Sequence, residues 1–523
     1  MTYRSARERI ARLTRSFDEQ DAELAARDPL GFAGYPEQLE SARNETGLTE
    51  ACVWGWADID GARCALVVGE FSFLGGSMGV AVGEKVARAF DAARRMRAPI
   101  VTVTASGGAR MQEGMAALVQ MAKVAEARRR HAAAGLAHLA VLTSPTTGGV
   151  YASFASLADV IIAEPDATIG FAGPRVVEEL TGDEPSPVVH TSEFAFEHGL
   201  IDEIVPIDDQ SETIARVLRA LGGFGGLGGF GGPRSEAEPP RPRRSEAEAP
   251  TGRQPPDRTG SARERATADT AWQTLQMARD PNRPKAQQVV DVLLPESFEI
   301  RGDRTGAPDD ENVLVRVGHG VVVIGQNASG DGRIRPQGFR KAVRAVELAG
   351  KLGLPLVTLI DTRGADPLPS SEGHGVASAI ARTFDAMLAC PAPTLAVVIG
   401  EGGSGGALSM AVADRVLAWE NAVFSVIAPE AAAAILYREA DRAPELAESL
   451  GITTPELLEQ GIVDAVVPEP PGGAQADPAA AAEELAGAIE AELTQLAAAR
   501  PGSRLRRRHR RWRKITDRYI QQA

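Results

Sequence analysis

Residues 101–114 read VTVTASGGARMQEG: a β-branched run closes on two adjacent glycines, Gly107 and Gly108, and a helix-forming stretch follows at once. β-Branched side chains favour a pleated, buried strand, and glycine permits the positive φ that a strand-to-helix turn often needs. Two bare amides at a helix N-terminus are also a site for a negative oxygen. Alone, the doublet fits either reading, a turn or an anion cradle. The pattern recurs, however, at TSPTTGG (143–149), LIDTRGA (359–365) and VVIGEGGSGGAL (397–408).

The order of elements recurs as well. In the first half GARCALVVGEFSF (61–73) reads as a strand pair, EKVARAFDAARRM (84–96) as an amphipathic helix, and APIVTVTASGG (98–108) and AHLAVLTSPTTGG (137–149) as buried strands. In the second half the strand GHGVVVIGQNASG (318–330) precedes the helix GFRKAVRAVELAGKLG (338–353) and the strand LPLVTLIDTRGA (354–365). The helix ASAIARTFDAMLAC (377–390) and the strand PTLAVVIGEGGSGGAL (393–408) follow. Alternating apolar strands and periodic helices predict α/β layering, here in two copies of one fold. Between them, residues 222–265 are rich in glycine, proline and mixed charge without apolar periodicity, the composition of a disordered linker. The expected domains are therefore 1–221 and 266–500, followed by a basic C-terminal helix over 501–523.

With 523 residues and 44% hydrophobic content, the chain suits two sizeable domains rather than one core. A formal net charge of −14 argues against general nucleic-acid binding. Three cysteines, Cys52, Cys64 and Cys390, form no CxxC pair, so neither a disulfide framework nor a four-cysteine zinc site is expected. No segment reads as a signal core or a membrane span, and a cytoplasmic location is expected.

Four stretches of the first half, FSFLGGSMGVAVGEK (71–85), TASGGARMQEGMAALVQMAK (104–123), TSPTTGGVYASFASLADVIIAEPDATIGFAGPRVVEE (143–179) and HGLIDEIV (198–205), resemble the beta subunit of bacterial acetyl-CoA carboxylase carboxyltransferase. In the second half LQMARDPNRPKAQQVVDVL (275–293), the run from Gly338 to Ala365, VIGEGGSGGALSMAVADRVLAWENAVFSVIAPE (398–430) and TTPELLEQGIVDAVVPEPPGGA (453–474) resemble the alpha subunit. The chain looks like both subunits joined. The resemblance implies two crotonase-like (ClpP/crotonase) α/β domains, each a spiral of strand-strand-helix units. It also implies transfer of carboxyl from carboxybiotin, held on a separate biotin carboxyl carrier protein and loaded by biotin carboxylase, to acetyl-CoA, giving malonyl-CoA. A homodimer or higher homo-oligomer is implied too.

That chemistry passes through an enolate whose charge gathers on the thioester oxygen, and preorganised amides stabilise such an oxygen without titrating. The departing carboxyl leaves an anionic ureido oxygen, so two anions call for two cradles. By resemblance, Gly107, Gly108, Gly148 and Gly149 hold the enolate, while Gly364, Gly405 and Gly406 hold the biotin oxygen. Arg110 and Arg175 are candidate contacts for phosphate or carboxylate through paired donors, although arginines beside turns commonly satisfy carbonyls or an acidic neighbour. Lys85, at helical spacing, reads as a solvated surface group. His374 reads as a solvated loop residue because the family uses biotin for proton transfer. Glu113, Glu401 and Glu430 read as helix-end or loop hydrogen-bonding groups.

The chain departs from the family in two places. It starts after the position of the beta subunit's four-cysteine zinc ribbon, so no metal is expected. The alpha-type loop DTPGAYPG becomes DTRGADPLPSSEGHG, which puts Arg363 where the family has proline. Arg363 either contacts the migrating carboxylate or marks a half that has lost activity or accepts another acyl-CoA, such as propionyl-CoA. A non-catalytic scaffold and a crotonase-type hydratase are the other readings, the latter disfavoured by the lack of an acid–base pair. The tail RLRRRHRRWRKITDRYIQQA is strongly basic with interleaved Trp512 and Tyr519, and reads as a packed terminal helix rather than an RNA-binding element.

Overall fold

The computed structural model describes residues 4–173, 177–178, 188–221, 270–327 and 330–521. Arg175 and the expected linker lie outside the described residues.

Each half carries its own eight-stranded sheet. In the first, β1 (Ser16–Gln20), β2 (Cys52–Ile59), β3 (Ala62–Gly69), β4 (Ile100–Ser106), β5 (His138–Thr147), β6 (Val160–Ala163) and β7 (Glu203–Ile204) lie side by side in chain order, and Ile169–Gly170 pairs with the end of β5. The second repeats this with β8 (Phe298–Glu299), β9 (Val313–Gly318), β10 (Val321–Gln326), β11 (Leu356–Thr362), β12 (Thr394–Gly403), β13 (Arg415–Trp419) and β14 (Ala465–Val467), and Val423–Ser425 pairs with the end of β12. In both sheets the first three strands are antiparallel and the rest parallel. β4 and β11 are buried along their whole length, which is why they read as unbroken apolar runs.

One boundary differs from expectation. GARCALVVG is a single strand, β3, and its antiparallel partner is the preceding CVWGWADI. The turn falls at Asp60-Gly61, with φ of 51° and 85°, and at His319-Gly320 in the second half, with 48° and 75°. Two successive left-handed residues are what a two-residue hairpin requires.

Helices α1 (Val80–Met96), α2 (Gln120–Ala133), α3 (Pro336–Leu352) and α4 (Val376–Ala389) cover the sheets, and one apolar cluster runs through both halves. Lys85 is not a surface group. It is buried on α1, with Nζ donating to the Cys52 carbonyl and Thr49 Oγ1, both at 3.3 Å. Lys341, its counterpart on α3, donates to the Val313 carbonyl at 2.8 Å. Each lysine ties its helix to the start of the strand beneath, which explains a buried cation in both copies.

The tail is less helical than expected: α5 (Pro501–Lys514) ends well before the C-terminus. Arg508, fully buried, donates to Asp414 and to the carbonyls of Met387, Cys390 and Ala392, and Trp512 Nε1 donates to Ala413. The chain then crosses to the first half. Arg513 donates to Glu84 and Asp91, Thr516 accepts from Gln120 and Lys123, and Ile520–Gln521 forms an antiparallel pair with Ala25–Ala26. Burial alone would raise the Glu84 carboxyl, but the Lys123 ammonium and the Arg513 guanidinium outweigh it and bring it down to about 2. A carboxylate depressed below its ordinary 4.5 contributes stability that is complete above that value and is lost as pH falls toward 2. Acid unfolding followed by circular dichroism should therefore be shallower below about pH 4.5 in Arg513→Gln than in the parent chain, by a share of the ~3 kcal/mol that such a shift represents.

Candidate active site

The two strand-to-helix junctions of each half meet. β4 ends at Ser106 and β5 at Thr147; β11 ends at Thr362 and β12 at Gly403. Pairing within both couples slips at the same point, between Thr104 and Ser106 and between Ile360 and Thr362, so the strand ends splay into a notch. Gly108 and Gly364 stand at φ of 120° and 115°, and Gly148 and Ser404 at 62° and 56°. A Cβ on Gly148 would come within 2.7 Å of the Gly108 Cα, and one on Gly403 within 2.4 Å of the Arg363 carbonyl carbon. The notches are thus duplicated backbone cradles at a constant offset in numbering.

Amide direction separates the expected glycines into different roles. Gly107 N–H donates to the Gly75 carbonyl at 2.8 Å, and Arg363 N–H donates likewise to Gly332 at 3.0 Å. Gly148 N–H is held by the Phe171 carbonyl at 3.0 Å. Gly108 N–H meets Ser106 Oγ at 3.1 Å, and Gly364 N–H meets Thr362 Oγ1 at 3.0 Å. The amides of Gly149 and Gly405 have no acceptor among the described residues, as befits the second residue of a helix. A Cβ on Gly406 would come within 2.9 Å of Ala365 N, so Gly406 serves close approach of the Ser404–Ala411 helix to the loop. Each cradle therefore offers a helix-start amide without an acceptor among the described residues, with the amide of Gly108 or Gly364 beside it on a hydroxyl. Gly149 and Gly405 also share a neighbour, since a Cβ on either would lie within 3.3 Å of Met121 Sδ.

Arg110 does not line a cradle. It is fully buried, with Glu50 across two bonds of 2.9 and 2.7 Å, the Ser77 carbonyl at 2.9 Å, Ser77 Oγ at 3.1 Å and Tyr35 Oη at 3.2 Å, so every donor is occupied. Glu113 completes the cluster, accepting from Tyr35 Oη and from Val80 N–H at the start of α1, both at 2.5 Å. Burial pushes the Glu113 carboxyl up while Arg110 pulls against it. Ser77 and Met78 run beside Ala109, so the cluster braces the wall of the first cradle. Replacing Arg110 with Met strands Glu50 and Glu113 in a dry interior and should lower stability by about 3–5 kcal/mol, read as a shift in the urea midpoint at unchanged slope.

Arg363 is exposed and takes the place that Gly107 takes in the first half. No carboxylate lies within ion-pair distance of it among the described residues. Glu401 and Glu430 both bind Arg279, and Glu401 N–H donates to Asp361 at 3.2 Å, which braces the second cradle from behind. His374 is exposed, with Nδ1 at 2.6 Å from the Ser370 carbonyl. Among the described residues, no group of three or more His, Cys, Asp or Glu could hold a metal ion, and no helix is long and apolar enough to cross a membrane.

Ser106, Thr362, Ser404 and Glu372 belong to the cradles and were missed in the sequence. The hydroxyls had a signal, S-G-G and T-R-G with the hydroxyl two residues ahead of the strained glycine. Ser404 had none, because it is a non-glycine residue in left-handed backbone.

Residues 259–516 match the family described as acetyl co-enzyme A carboxylase carboxyltransferase-like, and residues 21–208 match the carboxyl transferase domain. The chain is 43% identical over 503 residues to the acetyl-coenzyme A carboxylase carboxyl transferase subunits beta/alpha of Salinispora tropica, covering 93% of this chain and 86% of that protein. The protein of the same name from Salinispora arenicola is 44% identical over the same shares. A crystal structure of transcarboxylase 12S with methylmalonyl-coenzyme A and methylmalonic acid bound aligns at a TM-score of 0.37 and 22% identity, over 95% of this chain and 90% of that one. The chain belongs to the acetyl-CoA carboxylase carboxyltransferase family, with its beta-type and alpha-type halves fused, and is a biotin-dependent transferase that moves carboxyl to an acyl-CoA.

Proposed function

We propose that the acyl acceptor is acetyl-CoA and that the two cradles divide the two anions of the reaction. The single observation that carries this reading is the duplication of one backbone notch, each copy with a free helix-start amide. In the first half the Gly149 amide, with Gly108 beside it, receives the thioester oxygen as the enolate forms. Its worth lies in being fixed beforehand by Gly148 and Phe171. Among the described residues no side chain stands ready as base there, because Glu113 is locked on Tyr35 and Val80. In the second half the amides of Gly405 and Gly364 fit the carrier's biotin head, with Gly406 letting the helix close on the loop and Arg363 at the mouth. When bound, carboxybiotin would supply the carboxyl group, and its loss would leave the biotin ureido oxygen anionic and free the ring nitrogen that takes the acceptor's α-proton.

The partners in this reading are a biotin carboxyl carrier protein and biotin carboxylase, in the cytoplasm, with the chain acting as a homodimer or larger assembly. The domain bodies are residues 1–221 and 266–500, joined by 222–265.

Arg363 in the place that Gly107 takes in the first half supports activity rather than decay, since its amide is spent on Gly332 just as Gly107's is spent on Gly75. Its free guanidinium suits a carboxylate. Arg363→Ala should lower kcat/KM for carboxyl transfer roughly tenfold, the value of one charge-assisted hydrogen bond, with stability unchanged. Undiminished transfer excludes the contact.

Malonyl-CoA-dependent carboxylation of free biotin tests the proposal, with methylmalonyl-CoA run alongside. Turnover of malonyl-CoA at least about tenfold more efficient is expected, since one misplaced methyl costs about 1–3 kcal/mol in a fitted pocket. Preference for methylmalonyl-CoA overturns the acetyl assignment. Absence of turnover with either, in folded protein, overturns the cradle reading.

A further inference from the structure

The altered loop after Arg363 does more than shape its own cradle. It runs through Gly364 and Ala365 into the short helix Pro369–Gly373, and Glu372 leaves that helix for the first half. Glu372 is 4% exposed. Its Oε1 accepts from Phe171 N at 2.8 Å and from Ala172 N at 3.0 Å, and its Oε2 accepts from Phe171 N at 3.0 Å. The Ala172 N–H and the Phe171 carbonyl are the two ends of one peptide group, and that carbonyl takes the Gly148 N–H at 3.0 Å. A hydrogen-bond chain therefore runs from a carboxylate of the second half, through one peptide plane, to the left-handed residue that orients the first cradle.

Amides that meet an ionised carboxylate in a dry site bond more strongly than they do to neutral oxygens, and a polarised peptide passes part of that gain along its chain. Among the described residues, its hydrogen-bond donors are these two amides. The titratable groups that face it are His190, whose Nε2 lies 3.9 Å from Oε1, together with Asp366 and Tyr151. Ser371 Oγ, next to it in the chain, donates to Asp366 at 2.5 Å and fixes the helix that presents it.

We propose that Glu372 is a positioning residue for carboxyl transfer: the second half sets the geometry of the first half's enolate cradle through the Phe171–Ala172 peptide and Gly148. This rests on the cradle reading above. The carboxylate touches no reacting atom, so its removal acts on the transition state more than on acyl-CoA binding.

The test compares Glu372→Gln and Glu372→Asp with the parent chain, using malonyl-CoA and free biotin between about pH 6 and 8.5. Gln keeps the shape but removes the charge and turns a donor toward the amides. Asp keeps the charge and withdraws it by one methylene. Burial raises the Glu372 carboxyl to about 7, against the pull of the two amides. The anion, and with it the ordered cradle, is gained as pH rises through that value. The expected result for Gln is kcat lower by roughly 10- to 100-fold, KM for malonyl-CoA within about threefold, and loss of the acid limb of the kcat profile that the parent shows. Asp should fall between the two and keep the limb. A folded Gln variant with parental kcat, or an unchanged acid limb in that variant, overturns the proposal. If Gln fails to fold, Asp decides: lowered kcat at parental KM supports positioning, and parental kcat overturns it. If neither variant folds, a parent kcat that is flat across the range overturns it and an acid limb near neutrality supports it. Failure of the cradle reading is distinguishable, because the parent chain itself would then turn over no substrate.

Discussion

Gly148→Ala should leave the chain folded and reduce carboxyl transfer by at least about 100-fold. Two costs combine at this position. The residue stands at φ 62°, where a side chain costs about 1–2 kcal/mol, and the new methyl would lie 2.7 Å from the Gly108 Cα, with backbone rather than a flexible side-chain end on the far side. The strand ends must part, and the Gly149 amide moves with them. Gly107→Ala is the matched control. Its Cβ meets only the Gly75 oxygen, at 3.4 Å, so transfer should fall by less than about threefold. Steady-state kinetics of both variants, with circular dichroism to verify folding, checks the pair. Equal losses at the two positions would show that the amide assignment is wrong.

A chain ending at Arg500 should lose its fold or its solubility at 37 °C, the larger of the two effects. The deletion exposes the seat of Trp512, which is fully buried, and strands Asp414, whose carboxylate receives Arg508 at 3.0 and 2.7 Å. It also leaves the carbonyls of Met387, Cys390 and Ala392 without their donor. Arg508→Ala isolates that part, and breaking one side of a buried charge pair costs about 3–5 kcal/mol. Thermal unfolding should fall by several degrees or more in Arg508→Ala, and soluble yield should collapse in the truncation. A truncated chain with parental melting behaviour would mean that the tail is an appendage.

Much of this architecture was legible because both halves obey the same period. β4, β5, β11 and β12 announced themselves as apolar runs closing on glycine, and α1, α3 and α4 as periodic helical stretches. The antiparallel partner of β3 was missed because the turn at Asp60-Gly61 was read as the start of a strand pair rather than its middle. Lys85 and Arg110 were misplaced for a common reason. Local spacing describes a residue's own helix or turn, whereas their burial is decided by Cys52 and Glu50, which the fold brings in from afar. Amide direction was equally hidden: glycine spacing located the cradles, but which N–H is spent depends on Gly75, Gly332 and Phe171 across the notch. Glu372 carried no signal, because its partners lie in the other half.

The pairing of Ile520–Gln521 with Ala25–Ala26 gives the chain the topology of a closed ring. The polypeptide leaves the first half at Leu221, builds the second, and comes home at its last strand, where Arg513 and Thr516 fasten it beside α1 and α2. Contacts beyond the covalent connection therefore hold the halves together. Two separately encoded subunits could keep the same architecture, provided the second retained this returning arm. In that sense the fusion bears on how the halves find one another, while the tail, the shared apolar cluster and Glu372 hold them together.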